Sequence, residues 1–364
     1  MWTRAIVNLL AVHPVDRKLT RQFTDKGLKG IVTVVYDLAL YPVSYDFIIF
    51  LANADAFRRL SSAERMNIIV LSHDSDPIQD DVWPNHPILD GDEKAYIKNF
   101  ILEACMLYEA TGDIHLCRDR SRLYADWSQI ESTSLVFPEG YTPHIPDAAL
   151  NRLQVPLYGL VHLFADRHEA QHASNVYCLS ASMTYKELAR DFIRRQAGKK
   201  YIISITLREA THDPDRNSDI SAWQRAIEKL DHEKYTFIVL RDFQKVFSEP
   251  VLVGPSVVEC PEAVLSIMFR AALYEVADLN LMTNGGPASL CFLNHRCRYI
   301  VFMEKGAYQD RWYPAFKKQH GVSVGEDLPF SSDVRRLLWC RDDESNIISA
   351  IEHFERVNVV ERVR

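Results

Sequence analysis

The chain has 364 residues, 47% of them hydrophobic and 25% charged, with a formal net charge of −7. That length leaves room for about two domains at ~150 residues each, and the composition is that of an ordinary globular protein. The acidic balance excludes a general nucleic-acid binder, which needs a basic face.

The seven cysteines (Cys105, Cys117, Cys178, Cys260, Cys291, Cys297 and Cys340) are scattered and form no CxxC. A disulfide framework or zinc ribbon is therefore not expected, and a reducing cytoplasm fits. The first apolar run, residues 5–12 (AIVNLLAV), is too short to span a bilayer and has no small-residue cleavage site after it. It reads as a buried strand.

Residues 30–36 form a second expected strand, and 45–51 (YDFIIFL) suit either a strand or the start of a helix. Residues 67–71 (NIIVL) are rich in β-branched side chains and predict a buried strand that empties into the polar loop SHDSDPIQDD. Residues 95–111 have helical periodicity, with Ile97, Phe100, Ile101, Cys105 and Leu107 near one face and Gly112 as the cap. A short strand at 135–137 precedes Pro138-Glu139-Gly140. Strands alternating with helices predict a parallel sheet covered on both faces. A charged helix is expected at 185–195, ending at Gly198. The domain junction falls around 165–198, giving domains 1–175 and 176–345 and a closing helix in 346–364.

The second half alternates more cleanly. Residues 200–207 (KYIISITL) predict a strand that delivers Arg208-Glu209 to its carboxyl end, followed by the polar loop ATHDPDRNSD. Ser218 or Asp219 caps a helix running through Leu230, with Trp223, Ile227 and Leu230 on one face. The strand 235–240 ends at Arg241-Asp242. A short strand at 257–259 and a helix at 261–276 follow. Residues 278–290 (DLNLMTNGGPASL) are the most informative stretch. A strand stops at Thr283-Asn284-Gly285-Gly286-Pro287 and a helix-compatible run, 288–293, begins at once. Glycines let main chain approach a ligand, and the first helical amides point at it, so this is a candidate anion site. Asn-Gly-Gly and Gly-Pro are also ordinary turn sequences, and neither a P-loop nor a GxGxxG fingerprint is present. A strand at 299–303 and a last helix, NIISAIEHFERV after the N-cap candidate Ser345, complete the chain.

Right-handed winding brings three strand ends to one sheet edge: Arg208-Glu209 with the loop to Arg216-Asn217, Arg241-Asp242, and Asn284-Gly285-Gly286. A diphosphate would find guanidinium forks and main-chain amides there. Arg208 either contacts that ligand or pairs with Glu209 or Asp213. Asn217 and Ser218 either touch it or cap the helix. Glu275 either accepts ribose hydroxyls or is a solvated helix charge. His162, His168 and His172 form no recognised metal motif. Asp74, Asp76, Asp80 and Asp81 make an acidic loop that suits a base, a metal-bound phosphate or plain solvent. No GxSxG is present, which disfavours an α/β-hydrolase.

The run ISITLRE, the helix with Trp223, the strand ending at Asp242 and ADLNLMTNGGPASLCFLNHRCRYIVF together resemble the C-terminal domain of GT-B glycosyltransferases. The similarity is to heptosyltransferase-like and fucosyltransferase-like members, over roughly residues 198–357. No His-x-Arg-Arg run precedes the loop, and no His closely follows Gly-Pro, so the donor's identity is left open. The resemblance implies an α/β protein of two Rossmann-like domains with parallel sheets facing across a cleft, its last helix packing back toward the N-terminal domain. It implies a glycosyltransferase moving sugar from a nucleotide-sugar donor to a glycan or lipid-linked acceptor, with no metal or cofactor. Donor-binding residues would be Arg208, Glu209, Asn217, Asp242, Glu275, Asn284, Gly285 and Gly286, with Arg208 on the diphosphate. Asp37 and Asp74, each after an N-terminal strand, are the candidate catalytic bases. The expected setting is cytoplasmic, with peripheral attachment to the inner membrane face left open. Two alternatives stand: a nucleotide-sugar 2-epimerase or hydrolase, and a non-catalytic sugar-nucleotide or polysaccharide-binding module.

Overall fold

The computed structural model describes residues 30–38, 40–41, 44–71, 100–117, 119–143, 176–197, 200–211, 214–303 and 322–363. The chain divides into two units, Met1–Phe164 and Ala165–Arg364. The expected strand at 5–12, the acidic loop with Asp74, and His162, His168 and His172 lie outside the described residues.

In the first unit, β1 (Ile31–Asp37), β2 (Arg65–Leu71), β3 (Thr111–Cys117) and β4 (Leu135–Phe137) form one sheet in the order β3-β2-β1-β4. Every pair is parallel. All seven residues of β1 are buried, which explains a continuous apolar run in place of an alternating one. The ambiguous run at 45–51 belongs to a helix, α1 (Asp46–Leu60), which buries Phe47, Ile48, Phe50 and Leu51.

One expectation for this unit is corrected. Gly112 does not cap a helix. The α-helix described there, α2 (Leu102–Cys105), ends well before residue 112, and Gly112 lies inside β3. A Cβ at Gly112 would meet Asn67 Oδ1 at 2.6 Å and the Met66 carbonyl at 3.3 Å. The glycine admits a close approach where the β2–β3 register shifts, and Asn67 Oδ1 accepts the Asp113 amide at 3.1 Å. A helix not anticipated from sequence, α3 (Arg120–Thr133), starts at Asp119, whose carboxylate accepts the Ser121 and Arg122 amides. It lays Leu123 and Trp127 over Val35, Ile69 and Leu71.

The second unit contains β5 (Tyr201–Thr206), β6 (Tyr235–Leu240), β7 (Val257–Glu259), β8 (Leu279–Thr283), β9 (Tyr299–Phe302) and β10 (Arg335–Leu338). All pairs are parallel, in the order β10-β9-β8-β5-β6-β7. Counted from its own first strand, this is the 3-2-1-4-5-6 order of a Rossmann sheet. The helices are α4 (Met183–Ala197), α5 (Ile220–Lys229), α6 (Pro261–Leu265), α7 (Ile267–Val276), α8 (Ala288–Phe292) and α9 (Glu344–Val363). Asp219 caps α5 by accepting the Ala222 amide at 2.9 Å. The helix expected over 261–276 is broken at Ser266, which is extended and accepts the Phe269 amide at 3.3 Å to start α7.

Asp343, not Ser345, caps α9, because its Oδ1 accepts the Asn346 amide at 2.8 Å. Its buried face (Ile347, Ala350, Ile351 and Phe354) is part of the second unit's own core, with Trp223 and Ile227 of α5. Glu344 adds ion pairs to Arg225 and Lys229 of the same α5.

Candidate functional site

The strand order reverses once in the second sheet, between β5 and β8. Loops leaving the carboxyl ends of those strands turn to opposite sides, which opens a crevice between them. β5 runs on through Leu207 to Arg208, and β8 runs on through Thr283 to Asn284 and Gly285.

Arg208 is only 8% exposed. Its amide donates to Ser218 Oγ at 3.0 Å and its carbonyl accepts the Ser218 amide at 2.9 Å, closing the loop at its neck. Ser218 Oγ shares a 3.1 Å hydrogen bond with Thr283 Oγ1, tying that neck to the end of β8. Arg208 Nη1 donates to Asn217 Oδ1 at 2.6 Å. The same oxygen accepts the Ala210 amide at 3.0 Å, and Asn217 Nδ2 donates to the Ala210 carbonyl at 2.9 Å. Asn217 is thus neither a helix cap nor loose, but the staple of the loop. A Cβ placed on Gly285 would sit 4.0 Å from Arg208 Cδ. Arg216, which sequence placed at the same edge with its loop, donates from Nη2 to the Asn284 carbonyl at 3.1 Å. Arg208, Arg216, Asn217, Asn284 and Gly285 therefore lie together.

The glycine turn points its carbonyls inward. Gly285 accepts the Ala288 amide at 3.1 Å, and Gly286 accepts the Ser289 amide at 3.1 Å and Ser289 Oγ at 2.8 Å. The helix that follows, α8, has five residues. A dipole built from so few peptide units is small. The guanidinium groups, not the helix end, supply the positive charge at this edge.

Glu209 and Asp242 reach the same edge but fasten β5 to β6. Arg241 is 4% exposed and pairs bidentately with Glu209, at 2.8 Å from Nε and 2.6 Å from Nη2. Its Nη1 donates to the Glu249 carbonyl at 2.7 Å. Asp242 Oδ2 accepts the Glu209 amide at 2.6 Å. Burial pushes the Asp242 carboxyl up, against the pull of that amide and of Arg270 and Arg208. Arg241, expected to face a phosphate, is committed to this internal network.

Glu275 is corrected more sharply. It sits near the end of α7, just before β8 starts, so it belongs to the amino edge of the sheet, away from Gly285. Its side chain is 1% exposed and pairs with Lys186 at 3.0 Å. Its oxygens also accept the Ala181 amide at 2.5 Å and Asn294 Nδ2 at 2.7 Å. Burial pushes its carboxyl up, but the Ala181 amide, Asn294 and Lys186 together hold it below the usual range.

Asp37 occupies the matching place in the first sheet, at the end of β1 where the order reverses toward β4. It is fully buried. Arg120 Nη2 donates to both of its oxygens, at 2.7 and 2.6 Å, and the Tyr141 hydroxyl donates to Oδ2 at 2.9 Å. Burial, then the Asp37 charge, raises the Tyr141 phenol. Among the described residues, no group of three or more His, Cys, Asp or Glu is placed to hold a metal ion, and no helix is long and apolar enough to cross a membrane.

No protein-family model matches the chain, and no curated protein matches it. Among solved structures, it is similar to a family 9 glycosyl transferase from Veillonella parvula, with 12% identity and a TM-score of 0.43 over 89% of this chain and 97% of that one. It is similar to the E. coli heptosyltransferase WaaC with ADP-2-deoxy-2-fluoro heptose, with 13% identity and a TM-score of 0.43 over 90% and 99%. A UDP-GlcNAc 2-epimerase from Neisseria meningitidis, bound to UDP-GlcNAc, aligns with 10% identity and a TM-score of 0.40 over 90% and 91%. These neighbours include the kinds that the GT-B resemblance names. At such identity and overlap the likeness is one of outline. The two parallel sheets themselves carry the fold class, α/β with two Rossmann-like units.

Proposed function

We propose that the chain is a nucleotide-sugar-dependent glycosyltransferase that seats the donor diphosphate at the carboxyl edge of β5 and β8. A glycan or lipid-linked molecule would be the acceptor, in the cytoplasm, and no metal would be needed. The observation that carries this reading is the meeting of Arg208 and the Asn284–Gly285 turn where the strand order reverses. As the glycosidic bond to the donor breaks, negative charge grows on the leaving diphosphate. A guanidinium held at that point would stabilise the charge without reorganising.

Gly285 adds support. Its φ is not in the left-handed region, where the described glycines are Gly140 and Gly325. A Cβ there would make ordinary contacts of 3.7–4.0 Å within the protein. The fold itself does not require glycine at 285, whereas a ligand lying against the main chain would.

One observation favours a second reading, a non-catalytic sugar-nucleotide-binding module. Asp37, a candidate base, is fully buried under Arg120 and Tyr141. A general base must reach the proton it removes.

Calorimetric titration with UDP, GDP, ADP, dTDP and CMP, with and without Mg²⁺, tests the donor site. Binding of one diphosphate without metal is the expected result, and binding of none would remove the reading. Incubation of the matching nucleotide sugar with and without acceptor glycans then separates transfer, hydrolysis or epimerisation, and binding without turnover.

A further inference from the structure

We infer that His295, Arg296 and Arg335 form a second anion site, one that takes a phosphate group. It lies at the amino edge of the second sheet, opposite the proposed donor edge, and does not depend on that reading.

Two segments far apart in the chain supply the cations. His295 and Arg296 lie in the turn between α8 and β9, and Arg335 opens β10, which pairs in parallel with β9. Arg335 reaches back along that turn. Its Nε donates to the Cys297 carbonyl at 3.0 Å and its Nη2 to the His295 carbonyl. Its Nη1 donates to the Tyr177 hydroxyl at 3.2 Å, and the guanidinium carbon stands 5.5 Å from the centre of the Tyr177 ring. That ring lies 5.9 Å from the His295 ring, and its hydroxyl donates onward to the Phe330 carbonyl at 3.2 Å. Two carbonyls, a hydroxyl and a ring thus fix the fork, and N–H donors remain for a further acceptor. Among the described residues, no carboxylate forms an ion pair with Arg335.

The carboxylate at this turn is Glu275, and it is already divided. It is 1% exposed and pairs with the buried Lys186 at 3.0 Å and with Arg296 at 3.4 Å. Lys186 balances Glu275, which leaves Arg296, itself half exposed, and Arg335 as positive charge in excess. The His295 imidazole registers that excess. Burial lowers its pKa first, then Arg296 and Arg335, and Lys186 adds to them against the opposing pull of Glu275. Other acidic groups of this edge are placed elsewhere. Asp278 Oδ2 accepts the Ile202 amide at 2.8 Å, and Asp327 pairs with Arg336 at 3.4 Å. Asp333, in the turn before β10, is exposed and forms no ion pair among the described residues. The excess is local, on a chain whose net charge is −7.

Two guanidinium groups and an imidazole offer more donors and more charge than one carboxylate can use. A phosphate monoester carries about −1.5 to −2 at pH 7 and three acceptor oxygens, which matches them. Tyr177 is a positioning residue, because it holds Arg335 and spends its own proton on Phe330.

The test is NMR titration of the His295 imidazole, assigned with His295→Gln, in inorganic phosphate and in chloride at equal ionic strength. The His295 pKa is expected to rise by about one unit in phosphate relative to chloride, because the bound anion offsets the two arginines. Arg296→Gln is expected to raise the His295 pKa in chloride and to remove about half or more of the phosphate response. Arg208→Ala, at the opposite edge, should leave that response intact. Vesicles of phosphatidic acid separate the two sources of phosphate. Retention on them, lost in Arg296→Gln and absent on phosphatidylcholine, assigns the group to a lipid headgroup, whereas a response to inorganic phosphate alone assigns it to a soluble one. Equal pKa values in phosphate and chloride, with no preference for phosphatidic acid over phosphatidylcholine, overturn the inference. A response that persists unchanged in folded Arg296→Gln and Arg335→Gln overturns it as well. If Arg335→Gln fails to fold by circular dichroism, Arg296→Gln decides alone.

Discussion

The two units place a charged residue at the same topological position and treat it in opposite ways. Asp37 ends β1 at the strand-order reversal of the first sheet, and the protein fills that place with its own groups, Arg120 and Tyr141. Arg208 follows β5 at the reversal of the second sheet, and it is aimed by the Asn217 amide toward a glycine turn. Both oxygens of the buried Asp37 carboxylate accept from Arg120 Nη2, and Oδ2 accepts from the Tyr141 hydroxyl as well. Arg208 is held by an amide oxygen beside the glycine turn, and the diphosphate proposal rests on that arrangement. The strand order alone marks both edges as ligand positions, and in the first sheet the protein's own groups occupy that place at Asp37.

The comparison breaks most visibly at Arg120. The Arg120–Asp37 pair is 11% and 0% exposed on its two sides. Arg120→Met leaves a buried carboxylate unpaired and is expected to cost about 3–5 kcal/mol in urea unfolding. A loss below about 1 kcal/mol would mean that Asp37 is not sealed as described. On the other unit, Phe354→Ala removes a fully buried ring from the core that β5–β10 share with α9. About 3–5 kcal/mol is expected, with hydrogen-exchange protection lost in β5 and β6. Unchanged protection there would detach α9 from that core.

A smaller effect is expected from Glu275, which sharpens the contrast between the two edges of the second sheet. Its carboxyl is held below the usual range in the folded protein, so between the folded and unfolded values the unfolded chain binds more protons. Its contribution is therefore complete above the ordinary glutamate pKa and is lost as pH falls through the depressed one. Urea midpoints from about pH 7 to about pH 3 should fall less steeply for Glu275→Gln than for wild type. Parallel curves would contradict the placement, and any change in diphosphate affinity at neutral pH would return Glu275 to the site. The smallest stability effect is expected at Gly285. Gly285→Ala should stay within about 0.5 kcal/mol of wild type, because its new methyl meets only ordinary contacts. Diphosphate affinity should nevertheless fall.

Much of the second sheet was legible in sequence because a parallel strand buried on both faces is a continuous apolar run, as in YIISIT and YTFIVL. The strands that escaped notice stand at the described sheet edges. β3 (TGDIHLC) and β10 (RRLL) are only partly buried and carry charged residues, so their sequences do not alternate or run apolar. α3 escaped because it buries only Leu123 and Trp127, although Asp119 before Ser121 was a readable N-cap signal. Arg208 and the glycine turn were legible because both lie where strands end. The roles of Asp37, Arg241 and Glu275 were not. Their partners are fixed by folding, with Arg120 lying 83 residues beyond Asp37 and Ala181 94 residues before Glu275. Arg216 was readable at this edge with its loop, but its bond to the Asn284 carbonyl, 68 residues on, is fixed only by folding.

The central claim is that the edge of β5 and β8 binds a diphosphate through Arg208. Its most direct test is the calorimetric Kd of the best-binding nucleoside diphosphate for wild type and for Arg208→Ala, with folding checked by circular dichroism. The account predicts a loss of about tenfold or more in a variant that remains folded. An unchanged Kd in folded Arg208→Ala would contradict it and leave the anion site at this edge without its main ligand.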